Sequence, residues 1–438
     1  MQVGEPAAAG TGGGAAARKE WEAVVIEITF KTDITSARDR AAIAPPHWKE
    51  GEDPTDSWPL ATTLGLGSGP FSKKAATYLV KDGGGPRAVE VKIRVTKCIN
   101  VSGTGTLKGV IGSLEIEGSC ELAAGEHTVA ATIKEMPENI AYFHGLLNWR
   151  MEASDFGQMA LNGTLIELFF VLATPTSKYT PGVWVEALRL VCLRGPVTGI
   201  GKSEDVRAVG SITRYCHTDH GMRYDTFSGG PKFGVGGHGG HFQLWDYMHK
   251  ARTTVNCYDQ AGAVQSLSGC LGILPTWIYM DPYGFIQQTN LIGVGACNNP
   301  FFDNPRNTRT PLTAQNDPRR SGFGNHAFIE HGSIGLSLGA AIGVSAGAGA
   351  GVGVGVGVGA LIGALAGAAV GAVIGAIVAL RAESGGYILD ACAGPHMGTE
   401  SRSQYWAAAI DSTTTLYGTG HSGTVANMLP FAGVTSIV

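Results

Sequence analysis

Residues 256–278 have the sequence NCYDQAGAVQSLSGCLGILPTWI, which predicts a helix followed by a strand. Asn256 is a favourable N-cap residue, so we expect the helix to begin at Cys257. Gly269 and Gly272 are expected to end the helix before the strand-like run that follows. Its small and apolar residues recur at the three-to-four spacing of a packed helix: Ala261, Val264, Leu267 and Leu271.

The position of Cys257 at the start of a helix favours its thiolate form, because the positive end of the helix dipole stabilises a negative charge. Acyl-transfer chemistry with cysteine also needs a histidine within hydrogen-bond reach and a third group that orients the imidazole. Two strand-like runs supply these residue types, His326 in NHAFIEH and Asp390 in GGYILDA. The sequence therefore predicts Cys257, His326 and Asp390 as catalytic residues.

Together these segments resemble the transglutaminase-like superfamily of cysteine proteases and acyltransferases. NHAFIE (residues 325–330) resembles the family's His strand, and YILDACAGP (residues 387–395) resembles its Asp strand. The resemblance covers about residues 215–420 and keeps the family order Cys, His, Asp. It implies thiolate attack on a carbonyl through an acyl intermediate, with no cofactor. The nucleophile helix matches the family pattern at Cys257, Asp259, Ala261, Leu267, Gly272 and Ile273.

The spacing of His326 and Asp390 departs from the family, in which the two strands are usually neighbours joined by a short turn. Here 64 residues separate them, and removing residues 336–381 leaves 18. Residues 331–380 contain no Asp, Glu, Lys or Arg, and within them glycine recurs at every fourth position from Gly335 to Gly375. Such a period places the glycines along one stripe of a helix, where another helix can approach to backbone contact.

This glycine zipper, residues 335–380, is predicted to form a helical hairpin that inserts into a membrane. Two arms, residues 336–356 and 359–380, have about 20 residues each and would span ~30 Å, the thickness of a hydrocarbon core. A hairpin also brings its two ends together, as an insertion between neighbouring strands requires. Tight internal helix packing and a flexible low-complexity linker are the alternatives.

The chain before the catalytic region contains strand-like runs with β-branched residues and partial period-2 alternation, such as EAVVIEITF, VEVKIRVTKCI and VWVEALRLVCL. We therefore expect an α+β protein. A disordered tail is predicted over residues 1–20, and an antiparallel, sandwich-like β-rich domain over residues 21–195. A transglutaminase/papain-like catalytic domain would follow over residues 196–438, with the zipper inserted within it.

Donors for an oxyanion are a further requirement of acyl transfer. The backbone N–H of Cys257 is one candidate, and the side chains of Trp245 and Gln243 are two others, although Trp245 is equally typical of a core aromatic. A Cys/His-rich stretch offers zinc binding as another possibility, but its glycine-rich flanks favour a loop of solvated histidines, so no metal is predicted. That stretch contains Cys216, His217, His220, His238 and His241.

Charge and the N-terminal sequence narrow the possible functions. The formal net charge is −4 at pH 7 without a run of Lys and Arg, which argues against a nucleic-acid partner. The N-terminus lacks the basic and apolar regions of an ordinary secretory signal. We therefore expect a specialised secretion or injection route.

The combination of a thiol site and a zipper predicts a bacterial effector or toxin with peptidase, deamidase or transglutaminase activity. Its partners would be a protein or peptide substrate, a target membrane contacted through residues 335–380, and a shielding chaperone or immunity protein. The first alternative is a pore-forming or membrane-permeabilising protein whose cysteine-hydrolase domain is degenerate or regulatory. A self-processing structural assembly protein is the second.

Overall fold

The computed structural model of the protein has a mixed α+β, strand-rich fold, which confirms the fold class expected from the sequence. The glycine zipper predicted over residues 335–380 lies outside the described residues, as do residues 1–18 of the tail predicted over residues 1–20. Glu20 already belongs to the first strand. The structure describes residues 19–38, 40–43, 46–63, 70–194, 203–281, 283, 285–298, 323–332, 386–411 and 428–438.

The N-terminal part of the chain is built almost entirely from strands. A short helix, α1 (Pro59–Thr63), and a 3-10 turn (Lys81–Gly83) interrupt them. The strands are β1 (Glu20–Phe30), β2 (Ser36–Arg38), β3 (Ala41–Ile43), β4 (His47–Lys49), β5 (Thr55–Asp56), β6 (Phe71–Ser72), β7 (Ala75–Leu79), β8 (Ala88–Ile99), β9 (Thr104–Ile111), β10 (Leu114–Glu121), β11 (Gly125–Ile133), β12 (Ala141–Ala153), β13 (Gly157–Ala160), β14 (Thr164–Val171) and β15 (Val183–Trp184).

Ten of these strands form one sheet, which curls into a half-barrel, whereas the sequence predicts the two packed layers of a sandwich. The order is β4-β1-β8-β11-β10-β9-β12-β14-β7, with β13 beside β12. The long strand β12 keeps the sheet continuous, because its first half pairs with β14 and its second half with β9. Curling brings the chain just beyond β1 to the far edge, where Ile34 bridges to Thr77 of β7.

Strand β14 joins this sheet to the rest of the molecule. Ile166, Leu168 and Phe170 belong to the core on one face, whereas Phe169 and Val171 belong to the core shared with the helices. Successive side chains of a strand point to opposite faces, so β14 is covered on both sides. The half-barrel and the C-terminal part therefore share an apolar interface.

The prediction that the run VWVEALRLVCL is a strand is wrong. Only Val183 and Trp184 are extended, and the chain then forms helix α2 (Val185–Arg194). The side chains from Val185 to Cys192 are all buried. A helix that is covered on every side lacks the 3.6-residue pattern that distinguishes a helix from a buried strand.

The C-terminal part mixes short helices with small sheets. Its main sheet is antiparallel, in the order β25-β24-β23-β20-β26, and β17-β18-β27 form a second sheet. The elements are α3 (Glu204–Arg214), a π-helical turn (Tyr215–Asp219), β16 (Arg223–Tyr224), β17 (Val235–Gly236), β18 (Gly239–Phe242), α4 (Leu244–Met248), β19 (Thr254–Val255), α5 (Cys257–Gly269), β20 (Thr276–Met280), β21 (Thr289–Leu291), β22 (Gly295–Cys297), β23 (His326–His331), β24 (Tyr387–Asp390), β25 (His396–Met397), α6 (Arg402–Ala409), β26 (Met428–Phe431) and β27 (Gly433–Ile437).

Strands β23 and β24 are hydrogen-bonded neighbours, which confirms the expectation for the His and Asp strands. Their pairing reaches His331 opposite Tyr387, so the chain leaves the sheet at Gly332 and returns at Gly386. These glycines are in close contact, since a Cβ added to Gly332 would lie 2.6 Å from the Cα of Gly386. Among the residues that the structure describes, no helix combines the length and the apolarity needed to cross a bilayer.

Candidate active site

Helix α5 begins with Cys257, and a capping box fixes that start. The side-chain oxygen of Asn256 accepts the N–H groups of Tyr258 at 3.0 Å and of Asp259 at 3.1 Å. Asp259 completes the box by accepting the Asn256 N–H at 3.1 Å. Because the box involves only adjacent residues, the local sequence determines that Cys257 is the first residue of the helix.

The buried carboxylate of Asp259 also holds the loop that precedes β17. It accepts the N–H groups of Lys232 and Phe233, each at 2.9 Å. Burial raises the pKa of Asp259 to about 6, although the N–H donors oppose this shift. The acidic residue two positions after Cys257 therefore connects the helix start to the neighbouring loop.

His326 and Asp390 form a buried pair across β23 and β24, with 2.7 Å between Nε2 and Oδ2. They are 2% and 1% exposed. Because Nε2 is bonded to Asp390, Nδ1 is the ring nitrogen left for Cys257. Burial alone would lower the pKa of His326, but the charge and hydrogen bond of Asp390 and a hydrogen bond with Cys257 raise it to about 10. The imidazole thus connects the thiol to the carboxylate.

Asp390 accepts several further hydrogen bonds. Its Oδ1 accepts the N–H groups of Cys392 at 2.8 Å and Ala393 at 3.2 Å, and its Oδ2 accepts the Tyr405 hydroxyl at 2.8 Å. Burial would raise the pKa of Asp390, but the charge and hydrogen bond of His326 lower it to about 2. The carboxylate is therefore ionised at neutral pH.

A cavity of about 120 Å³ lies beside Cys257. Cys257 is 6% exposed and lines it, whereas His326 and Asp390 are not among the lining residues. The cavity therefore gives a carbonyl group a way to approach Cys257. In the part of the chain that the structure describes, the remaining lining residues carry no charge: Tyr224, Ser228, Gly229, Asn256, Tyr258, Phe323, Gly324 and Asn325.

The two side-chain oxyanion candidates lie elsewhere. Gln243 precedes α4 and Trp245 is within it, and neither lines the cavity. The Trp245 ring stacks on His249, with 4.1 Å between centroids, and packs edge-on against Trp184 at 6.1 Å. Of the donors that the sequence suggests, Cys257 is the one whose residue lines the cavity.

The Cys/His-rich stretch does not form a cluster. Nδ1 of the buried His217 donates to the Ala391 carbonyl at 3.2 Å. His220 lies between the Tyr215 hydroxyl and the Tyr247 carbonyl, both at 2.7 Å. These two histidines are therefore held inside the fold, and the expectation that they are solvated in a loop is wrong for them.

The other members of the stretch contact different parts of the molecule. The ring of His238 stacks on Phe431, His241 bonds Ser436, and the carbonyl of Cys216 accepts a side-chain N–H from α5. Over the described ranges, no three His, Cys, Asp or Glu side chains are placed to share a metal ion.

Two tyrosines of the site are not indicated by the sequence. Tyr405, on α6, bonds Asp390, and Tyr283 stacks on His326 with 4.4 Å between ring centroids. The capping pattern that begins at Ser401 could have placed Tyr405 on a helix. No local pattern connects either tyrosine with the catalytic strands.

Comparison with known proteins adds no relative: no family model matches the chain, and no curated protein or solved structure shows a significant match to it. The geometry itself is therefore the basis for a function. It combines a cysteine at a helix start, an imidazole that interacts with that cysteine, a carboxylate bonded to the imidazole and a cavity lined by the cysteine. Such an arrangement is chemically suited to nucleophilic attack on a carbonyl.

Proposed function

We propose that this protein is a thiol-dependent acyl-transfer enzyme that acts on protein or peptide amides. Its C-terminal part would be a transglutaminase/papain-like catalytic domain. The observation that supports this is the position of His326, which bonds Asp390 at 2.7 Å and interacts with Cys257. A buried structural cysteine has no need of a polarised imidazole and an adjoining cavity.

Cys257 is the nucleophile in this mechanism. An imidazolium with a raised pKa stays protonated at neutral pH and stabilises a thiolate beside it. The sulfur forms a bond to the amide carbon, and the C–N bond breaks as the leaving amine takes the proton from His326. Water or an amine then attacks the thioester, gives one proton to the neutral His326 and displaces Cys257 as the thiolate, which restores the starting ion pair.

Asp390 and the start of α5 complete the proposed mechanism. The carboxylate of Asp390 orients the imidazole and stabilises its charged form. The N–H of Cys257, at the positive end of the helix, is the donor that we assign to the developing oxyanion.

Limited alkylation with iodoacetamide between pH 6 and 7, followed by peptide mapping, tests this proposal without a known substrate. The chain has eight cysteines, of which Cys98 is partly exposed and the other seven are buried. If labelling followed exposure alone, Cys98 would react first. We expect Cys257 to react first, and to lose this preference in His326→Ala. An unreactive Cys257 would refute the assignment.

We also propose that residues 335–380 insert into a target membrane, and that the protein is a secreted or injected bacterial effector or toxin. The contact between Gly332 and Gly386 supports this, because both ends of the insertion are attached at one place. The described strands and helices on either side are complete without it.

Replacing residues 336–380 with a short Gly/Ser turn tests the membrane proposal. The variant should fold, keep preferential labelling of Cys257 and no longer float with anionic liposomes, whereas the full chain should float. If the full chain does not bind liposomes, the proposal fails. If Cys257→Ala permeabilises dye-loaded liposomes as well as the full chain does, the pore-forming alternative gains support.

A further inference from the structure

Two tyrosines enclose the His326–Asp390 pair. The Tyr405 hydroxyl is 2.8 Å from Oδ2 of Asp390, the same oxygen that accepts Nε2 of His326. The hydroxyls of Tyr283 and Tyr405 are 3.2 Å apart. The Tyr283 ring lies nearly parallel to the imidazole, with 23° between the planes.

The direction of the hydrogen bonds follows from the charge of Asp390. An ionised carboxylate only accepts hydrogen bonds, so Tyr405 donates its single hydroxyl proton to Asp390. Its oxygen is then the acceptor for Tyr283. The hydroxyls therefore form a directed chain from Tyr283 through Tyr405 to Asp390.

Helix α6 holds Tyr405 in place. Ser401 and Gln404 form a capping box at its start. Arg402 is buried and binds Glu330 through two parallel contacts, Nε to Oε1 at 3.0 Å and Nη2 to Oε2 at 2.6 Å. Glu330 lies on β23, the strand that carries His326. The helix that carries Tyr405 is thus anchored to the histidine strand.

We infer that Tyr405, supported by Tyr283, is a positioning residue that fixes Oδ2 of Asp390 against His326 and limits how strongly the imidazole holds its proton. This inference rests on the proposed function. Oδ2 shares its negative charge between two donors, so His326 receives less of it than from a carboxylate without Tyr405. A weaker hold on the proton favours its transfer to a leaving amine.

Other titratable groups surround the pair. His217 on the π-helical turn, His396 on β25, Cys392 after β24 and Cys257 on α5 all interact electrostatically with Asp390 or His326. His396 bonds Glu400. Removing only the Tyr405 hydroxyl leaves all of these side chains in place, so a shift in titration reports on that hydroxyl.

Tyr405→Phe is the decisive variant. It retains the ring that packs on Phe328, with 4.8 Å between centroids, and loses only the hydroxyl. We would follow the pH dependence of Cys257 alkylation by iodoacetamide and the imidazole nitrogen shifts of His326 in a ¹⁵N-histidine sample. The deprotonation of His326 should move upward by about 1–2 pH units, the size of a lost hydrogen bond to a charged group.

Tyr179→Phe is the matched control, because it removes an equally buried hydroxyl that donates to the Ser266 carbonyl at 2.8 Å. It should leave both profiles unchanged. Tyr283→Phe keeps the ring stack on His326 and should move the deprotonation of His326 upward by a smaller amount. This variant provides the test if Tyr405→Phe does not fold. Profiles of Tyr405→Phe and Tyr283→Phe that coincide with the control would overturn the inference. A wild-type Cys257 without preferential labelling would instead overturn the proposed function.

Discussion

Two buried groups of charged side chains differ in a way that distinguishes a structural cluster from a candidate active site. In the N-terminal part, Arg189 of α2 donates to Glu167 at 3.0 Å and to Asp56 at 2.8 Å. In the C-terminal part, His326 bonds Asp390 and Cys257. Both groups combine carboxylates with a cationic partner, and both lie in apolar surroundings.

The Arg189 cluster is closed. The guanidinium also donates to the Ser72 carbonyl at 3.2 Å, and its central carbon lies 4.9 Å from the centroid of the Phe71 ring. Asp56 and Glu167 have side-chain exposures of 2% and 0%. The His326 group instead ends in a sulfur that borders a cavity. Buried charge is common in structural networks, and a reactive atom with access to a cavity is what indicates chemistry.

The largest expected effect concerns turnover. Cys257→Ala and His326→Ala should each reduce hydrolysis of p-nitrophenyl acetate by about 10³-fold or to the solvent rate, and the double variant should lose no more than either single one. Asp390→Asn should keep a weak residual rate, because the orienting group contributes less. Cys98→Ala is the control and should keep the wild-type rate. Losses that add in the double variant would show that the residues do not act together.

Removing Arg189 from its cluster should lower the stability of the protein but leave the reactivity of Cys257 unchanged. Arg189→Met leaves the buried Glu167 without its cation and Asp56 with Arg38 alone, so the free energy of unfolding in urea should fall by about 3–5 kcal/mol. The control is Arg94→Gln, which removes the exposed pairs with Glu50 and Glu126 and should cost less than about 1 kcal/mol. In the folded Arg189→Met protein, Cys257 should remain the first cysteine to be alkylated. Equal losses from both variants would contradict this comparison.

The His326–Asp390 pair should make stability depend on pH in two windows. The folded-state pKa of His326 is raised from 6.5 to about 10, so its contribution is complete below pH 6.5 and is lost as the pH rises through 10. The folded-state pKa of Asp390 is lowered from 3.8 to about 2. Its contribution to stability is therefore present above pH 3.8 and is lost as the pH falls through 2. Urea unfolding of the wild type and His326→Gln should converge as the pH rises from 6.5 to 10. If the difference in the free energy of unfolding between the two proteins stays constant over this range, the raised pKa of His326 is excluded.

The smallest expected effects concern the two capping boxes. Ser401→Ala should reduce the free energy of unfolding by about 0.5–1 kcal/mol, as expected for an exposed N-cap. Asn256→Ala should cost up to about 2 kcal/mol, because the buried Asn256 also donates to the Gly229 carbonyl at 3.0 Å. It should also slow Cys257 alkylation, since the start of α5 is less well fixed. Equal costs at both caps would show that the Gly229 contact contributes little.

The sequence by itself determined the features that depend on adjacent residues. The Asn256–Asp259 box sets the start of α5, and alternation in β8 and β9 gives strands that bury every second side chain. The order of Cys257, His326 and Asp390 and the four-residue glycine period are likewise visible in the chain. Such signals arise from interactions within one or two turns of helix or a few residues of strand.

The tertiary structure alone decided which distant side chains meet. It curled ten strands into one sheet, made α2 a helix within a run whose sequence predicts a strand, and packed Trp245 between Trp184 and His249. It also joined Arg189 to Asp56 across 133 residues and Tyr283 to Tyr405 across 122. Local propensity cannot specify these contacts, because each depends on the path of the whole chain and on burial from every side.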